Sequence, residues 1–332
     1  MDDLGIVERH DIKSRQHWMD LRGPDFTASD IACLYGLGYR SLLQVWAEKT
    51  GKIPPRADNP MLRFGRWAEP MIFAALRDKY PMVETRQANI YLRSPSCRIG
   101  ATPDSISIMR KPIESEDTRV RYLPGYLVIN GKLVYRQKFH DEWCEDGQTI
   151  YGGITPPLGL AMQVQLEAML AERYLGEPCT PVLAPLEYDI GFADVHLVPV
   201  ERRPELETGF VRLVNKFWAD TAAGIEPEID TKKDGEALGL LYPEAYGEID
   251  LRGDNELCAL FDEREQLGHV ERGAKKRRGE IKTTFQARMG HAAYARLADG
   301  RRVSLLPVRE TWIEGFMRKA YRTLRLAKKG IG

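Results

Sequence analysis

Four short features of this sequence carry side chains suited to chemistry, and they follow one another along the chain. Glu69 lies in a run with helical periodicity, and Pro103-Asp104 sits inside a strand-like block. Asn130-Gly131-Lys132 follows in the next apolar run, and Gln163 and Gln165 stand in the helical pattern after it. Carboxylate and carbonyl oxygens suit a hard divalent cation such as Mg²⁺. Such a cation polarises a phosphate, lowers the pKa of a bound water and steadies a departing alkoxide. A lysine alongside can orient that water and offset developing charge. Two or three carboxylates and one lysine on neighbouring elements are the minimum equipment for cutting a phosphodiester near neutral pH. Two positions before Lys132 stands an amide, Asn130, one atom away from an aspartate.

The elements that must position these residues can be read from the patterning. "SRQHWMDLRG" is amphipathic and stops at Gly23-Pro24; "TASDIACLYGLG" offers Thr27 and Ser29 as helix caps. "SLLQVWAEKTG" ends in a glycine stop, and "PMLRFGRWAEPMIFAALRDKYP" has apolar residues at Phe64, Trp67, Ile72, Ala75 and Leu76, with Glu69 among them. "ANIYLRS", "RIGATPDSISI", "GYLVINGKLVY", "LEYDIGF" and "DVHLVPV" have strand length and composition. The charged insert "MRKPIESEDTRVRYLP" reads as a long loop or hairpin. "PPLGLAMQVQLEAMLAERYLG" and "PELETGFVRLVNKFWADTAAGIEPEID" read as helices. The expected fold is α/β, a central mixed sheet flanked by helices over residues 1–230. Residues 231–332 form a helical and hairpin extension: a turn-rich cover, a charged helix or helix pair over 255–288, a hairpin around "DGR", and the basic tail "FMRKAYRTLRLAKKG".

Composition excludes several classes. Of 332 residues, 43% are hydrophobic and 29% charged, ordinary values for a globular protein of one large domain or two. Five cysteines without a CxxC pair and six histidines without metal spacing argue against zinc, an iron–sulphur cluster or a disulfide framework. No apolar run reaches the roughly 20 residues of a membrane span. The charged start "MDDLGIVERHDIKSR" is unlike a signal peptide, so the expected location is the cytoplasm. With 48 basic and 48 acidic residues, any nucleic-acid surface must be a segregated basic channel.

The series Glu, Pro-Asp, x-x-Lys, Gln-x-Gln resembles the PD-(D/E)XK nuclease superfamily, and more closely its YqaJ-like viral recombinase, or lambda-exonuclease, branch. The stretches that carry the resemblance are "WMDLRGPDFTASDIACLYG", "SLLQVWAEKTG", "FGRWAEPMI", "IGATPDSISI", "KFHDEW", "PPLGLAMQVQLEAML" and "KFWADTAAGIEPEID", from about residue 15 to 230. The resemblance implies an Mg²⁺-dependent exonuclease, with one or two ions and Mn²⁺ able to substitute. It would resect double-stranded DNA ends 5′ to 3′ in phage-type recombination inside a bacterial host. The implied partners are DNA ends, a single-strand annealing protein and further copies of the chain in a ring. Carried over residue by residue, Glu69, Asp104, Asn130 and the carbonyl of Gly131 would be metal ligands, and Lys132 the catalytic lysine. Gln165 would sit beside the reaction and Gln163 beside the substrate, while Arg22 and Ser29 would hold the 5′-terminal phosphate.

Each feature also has a plainer reading. Glu69 can be a surface residue, "TPD" a turn, "NGK" a hairpin turn, "QVQLEAML" an ordinary amphipathic helix and Ser29 an N-cap. Asn130 removes a full negative charge from the metal site, so cleavage is expected to be impaired. Two other functions stay open: an endonuclease of defence or repair, and a catalytically inactive DNA-binding protein. On volume alone, Asn130→Asp should return the charge at little cost in stability. A second Glu-x-Lys, Glu280 and Lys282 in "GEIKTT", offers a displaced site, but it follows "KKRRG" rather than an apolar strand. Glu114, Glu116, Asp117 and Glu280 are the candidate replacement carboxylates.

Overall fold

The computed structural model describes residues 4–110, 113–114, 121–122, 125–147 and 153–306. Glu116, Asp117 and the basic tail lie outside the described residues. The chain divides into two compact units, Met1–Tyr242 and Pro243–Gly332.

The first unit begins with β1 (Glu8–Asp11), α1 (Arg15–Arg22), β2 (Phe26–Thr27), a 3₁₀ helix (Ala28–Tyr35), α2 (Leu42–Lys49) and α3 (Pro60–Lys79). Strands β3 (Val83–Glu84), β4 (Ile90–Ser94), β5 (Ile99–Ala101), β6 (Ser105–Met109), β7 (Ile113–Glu114), β8 (Arg121–Tyr122) and β9 (Gly125–Tyr135) follow. After α4 (Arg136–Trp143) and α5 (Leu158–Leu175) come β10 (Cys179–Asp189), β11 (Phe192–Val195), β12 (Val198–Pro199), α6 (Pro204–Ala222) and α7 (Gly235–Leu241). The second unit holds α8 (Asn255–Met289) and the hairpin β13 (Tyr294–Arg296) with β14 (Arg302–Ser304). No helix among the described residues is long and apolar enough to cross a membrane.

The central sheet has the order β11-β10-β9-β6-β3, with β12 also on β10. Strands β9 and β10 run parallel, and the other pairs are antiparallel. A smaller sheet has the order β1-β4-β5-β2. Strand β9 is apolar on both faces because helices cover both. Leu127 and Ile129 pack with Ile72, Phe73 and Leu76 of α3, while Val128 joins Met162 and Leu166 of α5. This is a mixed α/β fold with a curled central sheet between helices, a PD-(D/E)XK-like core with extra helical elements.

Local chemistry explains most boundaries. Ser14, Ser41 and Asn59 cap α1, α2 and α3 by accepting from the backbone N–H of His17, Gln44 and Leu62. Helix α5 ends at Gly176, whose φ of 71° is the left-handed conformation glycine tolerates best. Thr27 starts the 3₁₀ helix with no side-chain cap bond; its hydroxyl donates to Asp30 instead.

Two expectations change. Strand β10 begins well before "LEYDIGF", although Pro181 and Pro185 lie inside it. Their carbonyls accept from Val200 and His196 N–H, so the missing proline donors face the β11–β12 side and leave the ladder to β9 intact. The cover segment after residue 230 contains α7, tied to α2 by Ser41 Oγ on Asp234 and by Gln44 Nε2 on the Lys233 carbonyl at 2.7 Å. Of the two alternatives for residues 255–288, the single helix is the one found, over Asn255–Met289.

Candidate functional site

The site is assembled where β6 meets β9. Ser105 pairs with Ile129, so Asp104, at the bend just before β6, comes level with the Asn130-Gly131 step. Its carboxylate Oδ2 accepts the Gly131 backbone N–H at 2.9 Å. Gly131 is small for a packing reason: a Cβ there would lie 3.3 Å from two methyl groups of Ile72 on α3. "NGK" is therefore the middle of a continuous strand, not a hairpin turn.

Alternation along β9 sends Gly131 toward α3 and its neighbours Asn130 and Lys132 toward α5. Asn130 is 2% exposed. Its Nδ2 donates to both carboxylate oxygens of Glu167, at 3.1 and 3.2 Å. Gln163 Nε2 donates to Glu167 Oε1 at 2.9 Å, and Lys132 Nζ lies 3.5 Å from Gln163 Oε1. Gln165 is not part of this group; its Nε2 donates to the Glu201 carbonyl at 2.9 Å. The helix explains the division. Residue 165 is turned about 200° from 163, whereas 167 is turned only about 40°.

Glu167 is the residue that sequence reasoning passed over, because "QVQLEAML" fits a plain amphipathic helix. The available signal was the i,i+4 pair of Gln163 and Glu167 on one face of an otherwise apolar segment.

The carboxyls here hold their protons unusually well. Burial, and then the negative charge of Asp104, push Glu69 up to about 7, with Lys132 opposing. Burial and Asp104 push Glu167 up to about 8, against Gln163, Lys132 and Asn130. Asp104 is itself raised by burial, opposed by Lys132 and by the Gly131 N–H. Glu69 on α3 and Glu167 on α5 thus both feel Asp104, and ionising all three would leave more negative charge than Lys132 offsets.

Two observations bear on a metal. Among the described residues, no three His, Cys, Asp or Glu side chains form a group that could hold an ion. Yet Asn130 Oδ1 is buried with no hydrogen-bond partner. A bare neutral oxygen on the residue next to Gly131, whose N–H holds Asp104, suits a hard cation, which completes its shell with such oxygens.

Arg22 and Ser29 are in direct contact. Arg22 Nη2 donates to Ser29 Oγ at 2.8 Å and to Thr27 Oγ1 at 3.2 Å. The guanidinium lies 4.4 Å from the Trp18 ring centre, and Trp18 Nε1 donates to Thr102 Oγ1 at 2.9 Å. Thr102 stands two residues before Asp104. Glu280 belongs to exposed helix α8, where it pairs with Arg277 at 3.0 Å. The Glu280–Lys282 motif is thus helical rather than on a strand, as its flanking charges suggest.

Comparison with known proteins adds the lineage. The YqaJ-like viral recombinase domain matches residues 17–300. No curated protein matches the chain. Among solved structures, the alkaline exonuclease LHK-Exo from Laribacter hongkongensis is 19% identical with a TM-score of 0.44, covering 64% of this chain and 94% of its own. LHK-Exo in complex with dAMP gives 18% identity and a TM-score of 0.42, covering 68% of this chain and 99% of its own. The domain match spans most of the sequence, on a core of nuclease type, and the chain belongs to the YqaJ-like viral recombinase domain family.

Proposed function

We propose that this protein is a divalent-cation-dependent deoxyribonuclease that resects double-stranded DNA ends from the 5′ side, with Mg²⁺ as its ion and Mn²⁺ able to replace it. The observation that carries this reading is the arrangement around Gly131: Asp104 fixed on its N–H, Asn130 Oδ1 bare, and Lys132 beside Gln163. Glu69, Asp104, Asn130 Oδ1 and the Gly131 carbonyl would hold the cation. When bound, it would activate water and stabilise charge on the phosphate. The bond from Gly131 keeps the Asp104 carboxylate from rotating. Lys132 Nζ is placed to orient a water and to offset charge that develops on a phosphate oxygen. Arg22, with the Ser29 and Thr27 hydroxyls, offers the charged and neutral donors that suit a terminal phosphate. The product would be a 3′ single strand for an annealing partner, made in a ring of copies.

The test is digestion of a linear 5′-phosphorylated duplex and of a covalently closed circle, each with Mg²⁺ and with EDTA. Loss of the linear duplex alone, and only with Mg²⁺, is expected. Cutting of the circle would make the protein an endonuclease. Tight duplex binding with no cutting in Mg²⁺ would favour the reading that Asn130 most directly suggests, a protein that holds DNA intact.

A further inference from the structure

The side chain of Asn130 points its Nδ2 at Glu167, the orientation that an ionised Glu167 requires. Turning its amide over would set Oδ1 against the two Glu167 oxygens that now accept from Nδ2 at 3.1 and 3.2 Å. With Nδ2 on both Glu167 oxygens, Oδ1 faces away from Glu167, where it is buried and bare. Glu167 is 1% exposed, and its described hydrogen-bond partners are both amides, Asn130 and Gln163. Buried carboxylates are ordinarily paired with a cation. Here one end of a single amide touches the carboxylate and the other end is an oxygen without a partner.

We propose that Asn130 and Glu167 together take the place of one strand carboxylate, with Asn130 Oδ1 as the ligand atom and Glu167 as the positioning residue that orients it and, when a cation displaces its proton, supplies the negative charge. The charge has moved from strand β9 to helix α5, one amide away from the ion. This inference rests on the nuclease reading above and deepens it. It also explains how the site keeps its charge without three clustered acids. An amide anchored by a carboxylate is a more polarised oxygen donor than a free one, since partners behind a ligand tune its basicity.

The experiment titrates Mn²⁺ into the metal-free full chain by calorimetry, without DNA, for wild type, Glu167→Gln and the exchanged pair Asn130→Asp with Glu167→Gln. Glu167→Gln should bind Mn²⁺ about 10- to 100-fold more weakly. The exchanged pair should return to near the wild-type value, because it restores the charge and lets the new amide on α5 donate to the new carboxylate on β9. A purely structural Glu167 would not produce that recovery. Wild-type affinity in Glu167→Gln, or an exchanged pair no better than Glu167→Gln, overturns the proposal. Should Glu167→Gln fail to fold, the exchanged pair decides alone: near wild-type affinity supports the proposal and lost affinity overturns it. A wild type that takes up no Mn²⁺ overturns both this inference and the nuclease reading, whereas an unaffected Glu167→Gln overturns this inference alone.

Discussion

Asn130→Asp alters a side chain by one atom, yet the structure assigns it a large and pH-dependent cost. The variant puts a carboxylate oxygen where Nδ2 now stands, 3.1 and 3.2 Å from the oxygens of Glu167. At an effective dielectric near 20, two unit charges at that separation repel by about 5 kcal/mol. The variant also gives up bonds to a charged acceptor that contribute about 1.5–3 kcal/mol. The pair can escape by keeping one proton, at about 1.4 kcal/mol per pH unit above its ordinary titration. Glu167 already holds its proton up to about 8, so at pH 5.5 the pair shares one at little cost. At pH 9 it cannot. Urea melts of metal-free protein in EDTA should therefore find Asn130→Asp about 3–5 kcal/mol less stable than wild type at pH 9, and within about 1 kcal/mol at pH 5.5. The exchanged pair has no facing carboxylates and should show no such divergence. Equal stability of the single variant and wild type at pH 9 would refute the like-charge argument, and the volume-based expectation of a benign change would stand.

Wild-type stability should itself depend on pH and metal. Glu69 and Glu167 ionise near 4.5 when unfolded but near 7 and 8 when folded, so their contribution is full below pH 4.5 and is lost as pH rises through 7 to 8. Thermal melts from pH 5 to 9 in EDTA should show this decline, and millimolar Mg²⁺ should lessen it most at the alkaline end. Gly131→Ala should cost about 1–3 kcal/mol in a urea melt, since its new methyl meets Ile72 at 3.3 Å. Lys132→Ala should cut a linear duplex at least about 100-fold more slowly while still binding it in a gel-shift assay. Arg22→Ala should lose any preference for 5′-phosphorylated over 5′-hydroxyl ends, and a preference that survives would remove Arg22 from the end-binding role.

How much of this was legible in the sequence differs from residue to residue. Asp104 and Asn130-Gly131-Lys132 could be found because each lies at or in a strand whose apolar run announces it, and the sheet then brings them level. Glu69 could be found from its order along the chain, although Phe64 and Trp67 of the same helix pattern are largely exposed rather than buried. The choice between Gln163 and Gln165 was not legible, because it depends on which face of α5 meets β9. Glu167 was hidden for a related reason. A glutamate in a helix is ordinarily solvated, and only the three-dimensional packing makes this one buried and bonded to Asn130. Strand β10 was missed where Pro181 and Pro185 mimic a loop, because their harmlessness depends on which neighbour each missing donor faces.

Trp18 has a mechanical consequence. One face of its ring carries Arg22, while its indole N–H grips Thr102 on the segment leading into Asp104. The group suited to grasp a strand terminus and an acid suited to the cutting chemistry are thereby joined through a single rigid side chain. With the proposed roles of Arg22 and Asp104, parts joined in that way would act as a ruler. A strand end seated at Arg22 would present the same bond to Asp104 at every cycle, and the released piece would have one length whatever the sequence of bases.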